Sequence, residues 1–160
     1  MKRLSLAVAT IAIAAALTLA AQAEGGGNLP PITHPATLKE CGDCHIPFQP
    51  QMLPMRSWRA IMSNLANHFG DNATLPEKTR ADIEAYLVAN AADAPGNANG
   101  ERFLRGTPSG ATPVRITETS YWKYAHGEVS DAAFADPKVK ARSNCAACHT
   151  NARQGMFGEE

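Results

Sequence analysis

Two copies of one short cysteine motif constrain this chain more than any other feature of its sequence. Cys41-Gly42-Asp43-Cys44-His45 and Cys145-Ala146-Ala147-Cys148-His149 both have the pattern C-x-x-C-H, and together they contain all four cysteines of the 160 residues. Two thiols three positions apart lie on one face of a helical turn, where both can bond the vinyl groups of one porphyrin. The histidine that follows is then placed to bind the iron. The sequence therefore predicts two covalent haem c groups.

Three other uses of the cysteines fit the pattern less well. Zinc sites usually have cysteine pairs about 15 to 20 residues apart and need no histidine directly after each pair, whereas these pairs stand at positions 41–44 and 145–148. A disulfide within C-x-x-C closes a very small loop and adds little stability. A redox-active dithiol is expected once, beside a βαβ pattern that this sequence lacks.

The first 23 residues have the pattern of a secretory signal. Lys2 and Arg3 precede an apolar run over residues 4–20, and Ala21-Gln22-Ala23 is a small-residue cleavage site. We expect cleavage after Ala23 and export to the periplasm. The alternative is a retained membrane anchor, because a run of about 18 apolar residues can just span a bilayer.

Composition limits what the exported chain can be. Removing residues 1–23 leaves 137 residues and takes away two basic side chains, so the formal charge becomes −2. A chain of this length forms one domain. Without a block of Lys and Arg, it lacks the basic surface of a nucleic-acid-binding protein. Its apolar residues are few and rich in alanine, which predicts a core that a cofactor completes.

His68 is the predicted second axial ligand of the first iron. An apolar pattern predicts a helix that begins at an N-cap, Ser57, and ends at Gly70, with His68 at the edge of its apolar stripe. We expect His68 to bind the iron opposite His45. The alternative is a histidine that only interacts with the C-terminus of this helix.

The second iron is expected to take His126 opposite His149. His126 ends the aromatic run at residues 121–126 and directly precedes Gly127. An isolated surface histidine is the alternative at this position. The second haem nevertheless needs a sixth ligand or has an open site.

Other histidine and methionine side chains are alternative distal ligands. His34 lies between prolines in an extended lead-in and is interpreted as a loop residue. Met62 falls within an apolar stripe and is interpreted as a core residue. Met52 and Met55 flank a proline-rich loop that could supply a sulfur ligand. Distal ligands exchanged between the two haems are also consistent with the sequence.

The fold class predicted is mostly α, with short helices and long loops around two covalent haems. We expect one domain over residues 24–160. Within it, a first haem unit spans about 30–92 and a second about 114–158, joined by a linker rich in Gly, Pro and Asn. His68 follows its motif whereas His126 precedes its own, so the two units are not a simple tandem repeat.

Helix starts are predicted from local capping patterns. The last predicted helix runs through the second motif to Gly155. Besides the helix at Ser57, helices are predicted to start near Thr37, at the capping box from Thr74 to Glu77, at Thr119 or Ser120, and at Asp136-Pro137.

Several short segments, in a fixed order along the chain, form a more specific signature than the two motifs alone. These segments are E-C-G-D-C-H at 40–45, Q-P-Q-M-L-P at 49–54 with Ser57-Trp58, H-F-G at 68–70, N-C-A-A-C-H at 144–149 and G-M-F at 155–157. In these segments, from about residue 38 to 158, the chain resembles the bacterial dihaem cytochrome c family of small periplasmic electron carriers.

The resemblance implies two bis-histidine haems. It implies His45 and His149 as proximal ligands and His68 and His126 as distal ligands. It also implies electron delivery to an oxygen-binding monohaem cytochrome c, and association with a membrane cytochrome b of the b561 type.

The expected function is therefore periplasmic electron transfer between a membrane donor and a soluble redox partner, without enzyme activity. Two six-coordinate irons leave no position for a substrate. The rival from another class is a haem enzyme or gas sensor, in which one five-coordinate haem binds peroxide, oxygen or nitric oxide. A fixed relay within a membrane complex is a third possibility.

Overall fold

The computed structural model describes residues 27–158, and the predicted signal segment lies outside these residues. The described part of the chain is helical, with no strand and a single isolated backbone bridge. None of its helices is long and apolar enough to cross a membrane. The prediction of short helices joined by long loops is confirmed.

The described residues form six α-helices and six short 3-10 turns. The α-helices are α1 Pro35–Gly42, α2 Met55–Met62, α3 Glu77–Ala89, α4 Glu101–Leu104, α5 Ser120–Ala125 and α6 Asp131–Phe134. The 3-10 turns are Pro50–Met52, Leu65–Asn67, Ala98–Gly100, Ile116–Glu118, Cys145–Ala147 and Ala152–Gln154.

Two clusters of buried apolar side chains hold these elements together. The N-terminal core cluster lies where α2 packs on α3 and consists of Leu53, Trp58, Met62, Leu65, Ile83, Leu87 and Ala91. The central core cluster consists of Leu29, Met52, Ala92 and Phe103. Phe48 and Ile116 pack against both clusters, so the two are continuous. Met52 and Met62 are therefore core residues.

His34 fixes the helix that carries the first motif. Its Nδ1 lies 2.9 Å from the Thr37 hydroxyl and accepts the Thr37 N–H, so His34 is the N-cap of α1. Its ring stacks on Tyr86 of α3, with centroids 4.7 Å apart, and its Nε2 lies 3.3 Å from an Asp82 carboxylate oxygen. This histidine is thus more than a loop residue, because it joins α1 to α3.

The helix predicted from Ser57 to Gly70 is wrong in both boundaries. α2 begins after Pro54, so Ser57 is a buried residue inside the helix and not its cap. The Asp93 carboxylate accepts the Met55 N–H at 2.6 Å, a cap that comes from 38 residues away. α2 ends at Met62, and a 3-10 turn then leads to His68.

The predicted helix from Asp136 to Gly155 does not form. The Asp136 side chain accepts the Lys138 N–H at 2.8 Å, which favours a turn over a helix. Lys140 has a φ of +67°, a value that ends any regular helix. Gly155 is left-handed as expected, with φ +83°, but it ends only a 3-10 turn.

Other local predictions have mixed outcomes. Thr119 caps α5 as predicted, because its hydroxyl accepts the Trp122 N–H at 3.2 Å. Thr74 does not cap α3. That helix begins at Glu77 with Pro76 at the cap position, and the Thr74 hydroxyl donates to Asn72 instead.

The segment predicted as a linker is partly helical and packed. It contains α4, whose Phe103 belongs to the central core cluster. Arg56 of α2 donates to the Pro108 carbonyl at 3.2 Å and to the Ala111 carbonyl, and its guanidinium lies 3.5 Å from Asp93. Contacts from α2 therefore hold the loop after α4.

Candidate haem sites

The first site is built from the end of α1 and the turn after α2. The imidazole rings of His45 and His68 lie 6.2 Å apart between centroids, with an angle of 17° between their planes. Phe48 stacks on His45 at 4.9 Å, and Phe69 contacts His68 edge-on at 4.9 Å. His45 and His68 are therefore brought together, as predicted.

The second site has the same separation but a different orientation. The rings of His126 and His149 lie 6.2 Å apart, and their planes are 89° to each other. Trp122 stacks on His126 at 4.3 Å, and Phe157 contacts His149 edge-on at 5.7 Å. His126 therefore lies beside the histidine of the second motif.

Both separations fit an iron ion between two imidazoles. A bond between a metal ion and an imidazole nitrogen is about 2 Å long, so one ion between facing rings holds their centres about 6 Å apart. Both pairs have a centroid separation of 6.2 Å. Imidazole is also a normal axial ligand of haem iron, so these donors suit the group.

In each pair, one histidine has a ring nitrogen that is hydrogen-bonded to a backbone carbonyl. Nδ1 of His45 lies 2.6 Å from the Ile46 oxygen, and Nδ1 of His126 lies 2.9 Å from the Trp122 oxygen. A carbonyl oxygen only accepts, so Nδ1 carries the hydrogen in both rings. Nε2 is then left with a lone pair for a metal, and the ring orientation is fixed.

Burial keeps the two distal candidates in the form that binds metal. Burial lowers the pKa of His68, and repulsion from His45 lowers it further. Burial likewise lowers the pKa of His126, with a smaller contribution from His149. Only a neutral imidazole offers a lone pair to a metal ion.

None of the four cysteines is paired in a disulfide. Burial raises the pKa of Cys41 to about 11, with a further contribution from Glu40. Burial also raises the pKa of Cys145 to about 11. Cys44 and Cys148 are exposed. Within residues 27–158 no three Cys, His, Asp or Glu side chains form a metal-binding group, so the zinc arrangement is not present there.

Comparison with known proteins identifies the family. The family model described as dihaem cytochrome c matches residues 37–157. The chain belongs to the dihaem cytochrome c family. Such proteins are haem-binding electron carriers with two covalently bound haem c groups, and cytochromes c are typically exported to the periplasm.

Solved structures agree with this assignment. A dihaem cytochrome c from Rhodobacter sphaeroides is 45% identical, with a TM-score of 0.74, over 81% of this chain and 100% of the other. A dihaem cytochrome type c from Shewanella baltica is 36% identical, with a TM-score of 0.62, over 77% of this chain and 85% of the other. Among curated proteins, none matches significantly.

A buried glutamine connects the two sites of this dihaem cytochrome c. Gln49 has no exposed surface, and its Nε2 donates to the Ala152 carbonyl at 3.2 Å. The Ala152 N–H in turn donates to the carbonyl of His149 at 3.0 Å. The segment after the second motif is therefore docked on the loop after the first. No local sequence pattern indicates this role, because the partners are 103 residues apart.

Proposed function

We propose that this cytochrome is a periplasmic electron carrier in which two histidines bind each iron. The pairs are His45 with His68 and His149 with His126. The observation that carries the proposal is the equal separation of 6.2 Å in two pairs built from unrelated segments. The haems are attached through Cys41 and Cys44 and through Cys145 and Cys148, respectively, as C-x-x-C-H motifs require.

The bound haems supply the one-electron couple between ferric and ferrous iron. The protein orients the ligand rings and would leave no position on either iron for an exchangeable ligand. The carbonyls of Ile46 and Trp122 fix two of the rings. With two histidines holding each iron, neither iron would offer a site for oxygen or peroxide. Electrons are then exchanged with other proteins without bond chemistry.

The interior between the sites is suited to electron exchange within the protein. Phe48 stacks on His45, and Phe157 contacts His149. Both phenylalanines pack against the central core cluster. Gln49 adds a hydrogen-bonded connection between the two halves. We propose that electrons enter at one haem, pass across this region and leave from the other.

Location and partners form a further part of the proposal. Residues 1–23 direct export and are removed after Ala23. The partners proposed are an oxygen-binding monohaem cytochrome c and a membrane cytochrome b561. The charge of the exported chain is small, at −2, so docking is transient and uses small surfaces near the haem edges.

Carbon monoxide tests the ligation in the wild-type protein. Carbon monoxide binds ferrous haem with an open or weakly held axial position, so we expect no rapid change in the spectrum of the reduced protein when it is added. Rapid binding of one equivalent per chain would instead identify a five-coordinate haem and favour the enzyme or gas-sensor function.

Electron paramagnetic resonance of the oxidised protein adds a second measurement. Parallel imidazoles donate to the same iron d orbital, whereas perpendicular imidazoles donate to two different ones. The ring planes are 17° apart at the first site and 89° apart at the second. We therefore expect two different low-spin ferric signals of equal intensity, one rhombic and one strongly anisotropic. A high-spin signal from either haem contradicts bis-histidine ligation.

A further inference from the structure

An arginine lies over the aromatic neighbour of the first distal histidine. Cζ of Arg115 is 4.2 Å from the centre of the Phe69 ring, and Phe69 contacts the His68 ring at 4.9 Å. Phe69 also has a φ of +58°, which is rare for a bulky residue. The backbone pairing of His68 with Asp71 holds this conformation and so places the ring between His68 and Arg115.

The second distal histidine has the same arrangement, built from other segments. Trp122 stacks on His126 at 4.3 Å. Cζ of Arg142 lies 5.8 Å from the centre of a Trp122 ring and 4.4 Å from the centre of the Phe134 ring. Phe134 in turn packs against Trp122 at 5.6 Å.

The two arrangements are not copies of one sequence unit. Arg115 follows the first distal ligand by a long stretch of chain and precedes α5, whereas Arg142 lies in the loop just before the second motif. The aromatic contacts also differ, since Phe69 is edge-on to His68 and Trp122 is parallel to His126. An arginine over an aromatic neighbour therefore occurs beside each proposed distal ligand, built from different segments.

We propose that Arg115 and Arg142 are positioning residues that hold the aromatic neighbours of the distal ligands and place one positive charge beside each haem. The inference rests on the proposed ligation by His68 and His126. A nearby cation disfavours the more positive ferric state, so each arginine raises the reduction potential of its own haem. The reduction potentials of the two haems are therefore adjusted by different arginines.

Distances allow this effect at both sites. The two contacts together place the Arg115 guanidinium no more than about 9 Å from the His68 ring, a range in which unit charges still interact measurably. The same reasoning gives about 10 Å for Arg142 and the His126 ring. Both side chains are about half exposed, so salt weakens the effect.

A carboxylate offsets each arginine to a different extent. Glu118 lies 3.6 Å from Arg115, whereas Asp131 lies 2.5 Å from Arg142. The closer pair cancels more of the field at a distance. The charge of Arg115 therefore acts more strongly on the first haem than the charge of Arg142 acts on the second.

The test is a spectroelectrochemical titration of the purified protein with both haems attached. In Arg115→Gln we expect the ferrous-to-ferric ratio of the first haem, at a given potential, to fall about fivefold. Since tenfold corresponds to 59 mV for one electron, this is a decrease of about 40 mV. The second haem keeps its potential. Arg142→Gln gives a smaller decrease confined to the second haem. The two ferric signals identify which haem changes.

Three further variants separate charge from packing. Arg115→Lys keeps the charge but loses the planar stacking. We therefore expect the reduction potential of the first haem to stay near the wild-type value while its ferric signal shifts. Glu118→Gln raises the potential of the first haem. Arg102→Gln is the matched control, because Arg102 also lies over a phenylalanine, Phe103, at 5.0 Å. The ring of Phe103 contacts Tyr121 and not a ligand histidine.

The outcomes distinguish this inference from the proposed function. If both haems stay low-spin and both potentials are unchanged in Arg115→Gln and Arg142→Gln, the inference is wrong and the electron-carrier function stands. Equal shifts of both haems in every variant, Arg102→Gln included, would also overturn it. If the wild-type protein binds carbon monoxide, the bis-histidine proposal fails first.

Discussion

His68→Ala and His126→Ala should each create one haem per chain that binds carbon monoxide. Removing the imidazole leaves the iron with a single protein ligand or with exchangeable water, and ferrous iron then takes the gas. The other haem stays low-spin because its ligands come from a separate pair, 6.2 Å apart. The measurement is a carbon monoxide difference spectrum of each reduced variant, with the stoichiometry per chain.

His34→Ala is the matched control for these two variants. It removes the remaining histidine outside the motifs, but this residue caps α1 and stacks on Tyr86. We expect an unchanged spectrum and a modest loss of stability, about 1 kcal/mol, as for other N-caps. Added imidazole should restore the low-spin spectrum of His68→Ala and His126→Ala. A variant that stays low-spin without it would mean that another side chain is the ligand.

Gly155→Ala should destabilise the protein strongly. A Cβ at this position would lie 2.3 Å from the Leu29 carbonyl oxygen, and the backbone has φ +83°. Relief of this clash requires breaking the hydrogen bond from the Leu29 N–H to the Gly155 carbonyl, which is 2.8 Å long. A left-handed conformation and a lost buried contact together cost about 3 kcal/mol.

Denaturant unfolding, followed by the circular dichroism of the polypeptide, measures this effect. Gly110→Ala is the control, since an added Cβ there has no atom within 4 Å and its φ is ordinary. We expect the Gly110 variant to unfold at the wild-type midpoint. A Gly155 variant that does the same would show that the segment after the second motif is not docked as described.

The chemistry of the sites follows from short-range sequence patterns. C-x-x-C-H places two thiols and an imidazole within five consecutive residues, so no information about the rest of the fold is needed to predict a haem there. The partners His68 and His126 required more. They were the histidines adjacent to apolar or aromatic segments, and the structure does bring them to His45 and His149.

The helix boundaries were predictable only where the cap is local. Thr119 caps α5 through a residue three positions away, and this prediction is confirmed. α2 takes its cap from Asp93, which no local pattern reveals. The predicted helix at Asp136 failed because the aspartate side chain bonds the backbone two residues on, at Lys138. The same residue type signals a helix start and a turn.

Long-range contacts could not be predicted from the sequence at all. Arg115 lies over Phe69 because two distant segments pack together, and nothing near either residue indicates it. The hydrogen bond from Gln49 to Ala152 is of the same kind. Such contacts depend on the complete fold, so a single sequence without its structure leaves them invisible.

The central core cluster has a consequence for how fast the protein can work. Its members include Leu29 of the lead-in, Met52 of the first unit and Phe103 of the predicted linker. Phe157 of the second unit packs against it. Shared side chains of this kind do not let one half swing relative to the other. The proposed electron exchange between the two haems then needs no domain motion. We expect a viscous solvent to slow encounters with redox partners and to leave the internal step unchanged.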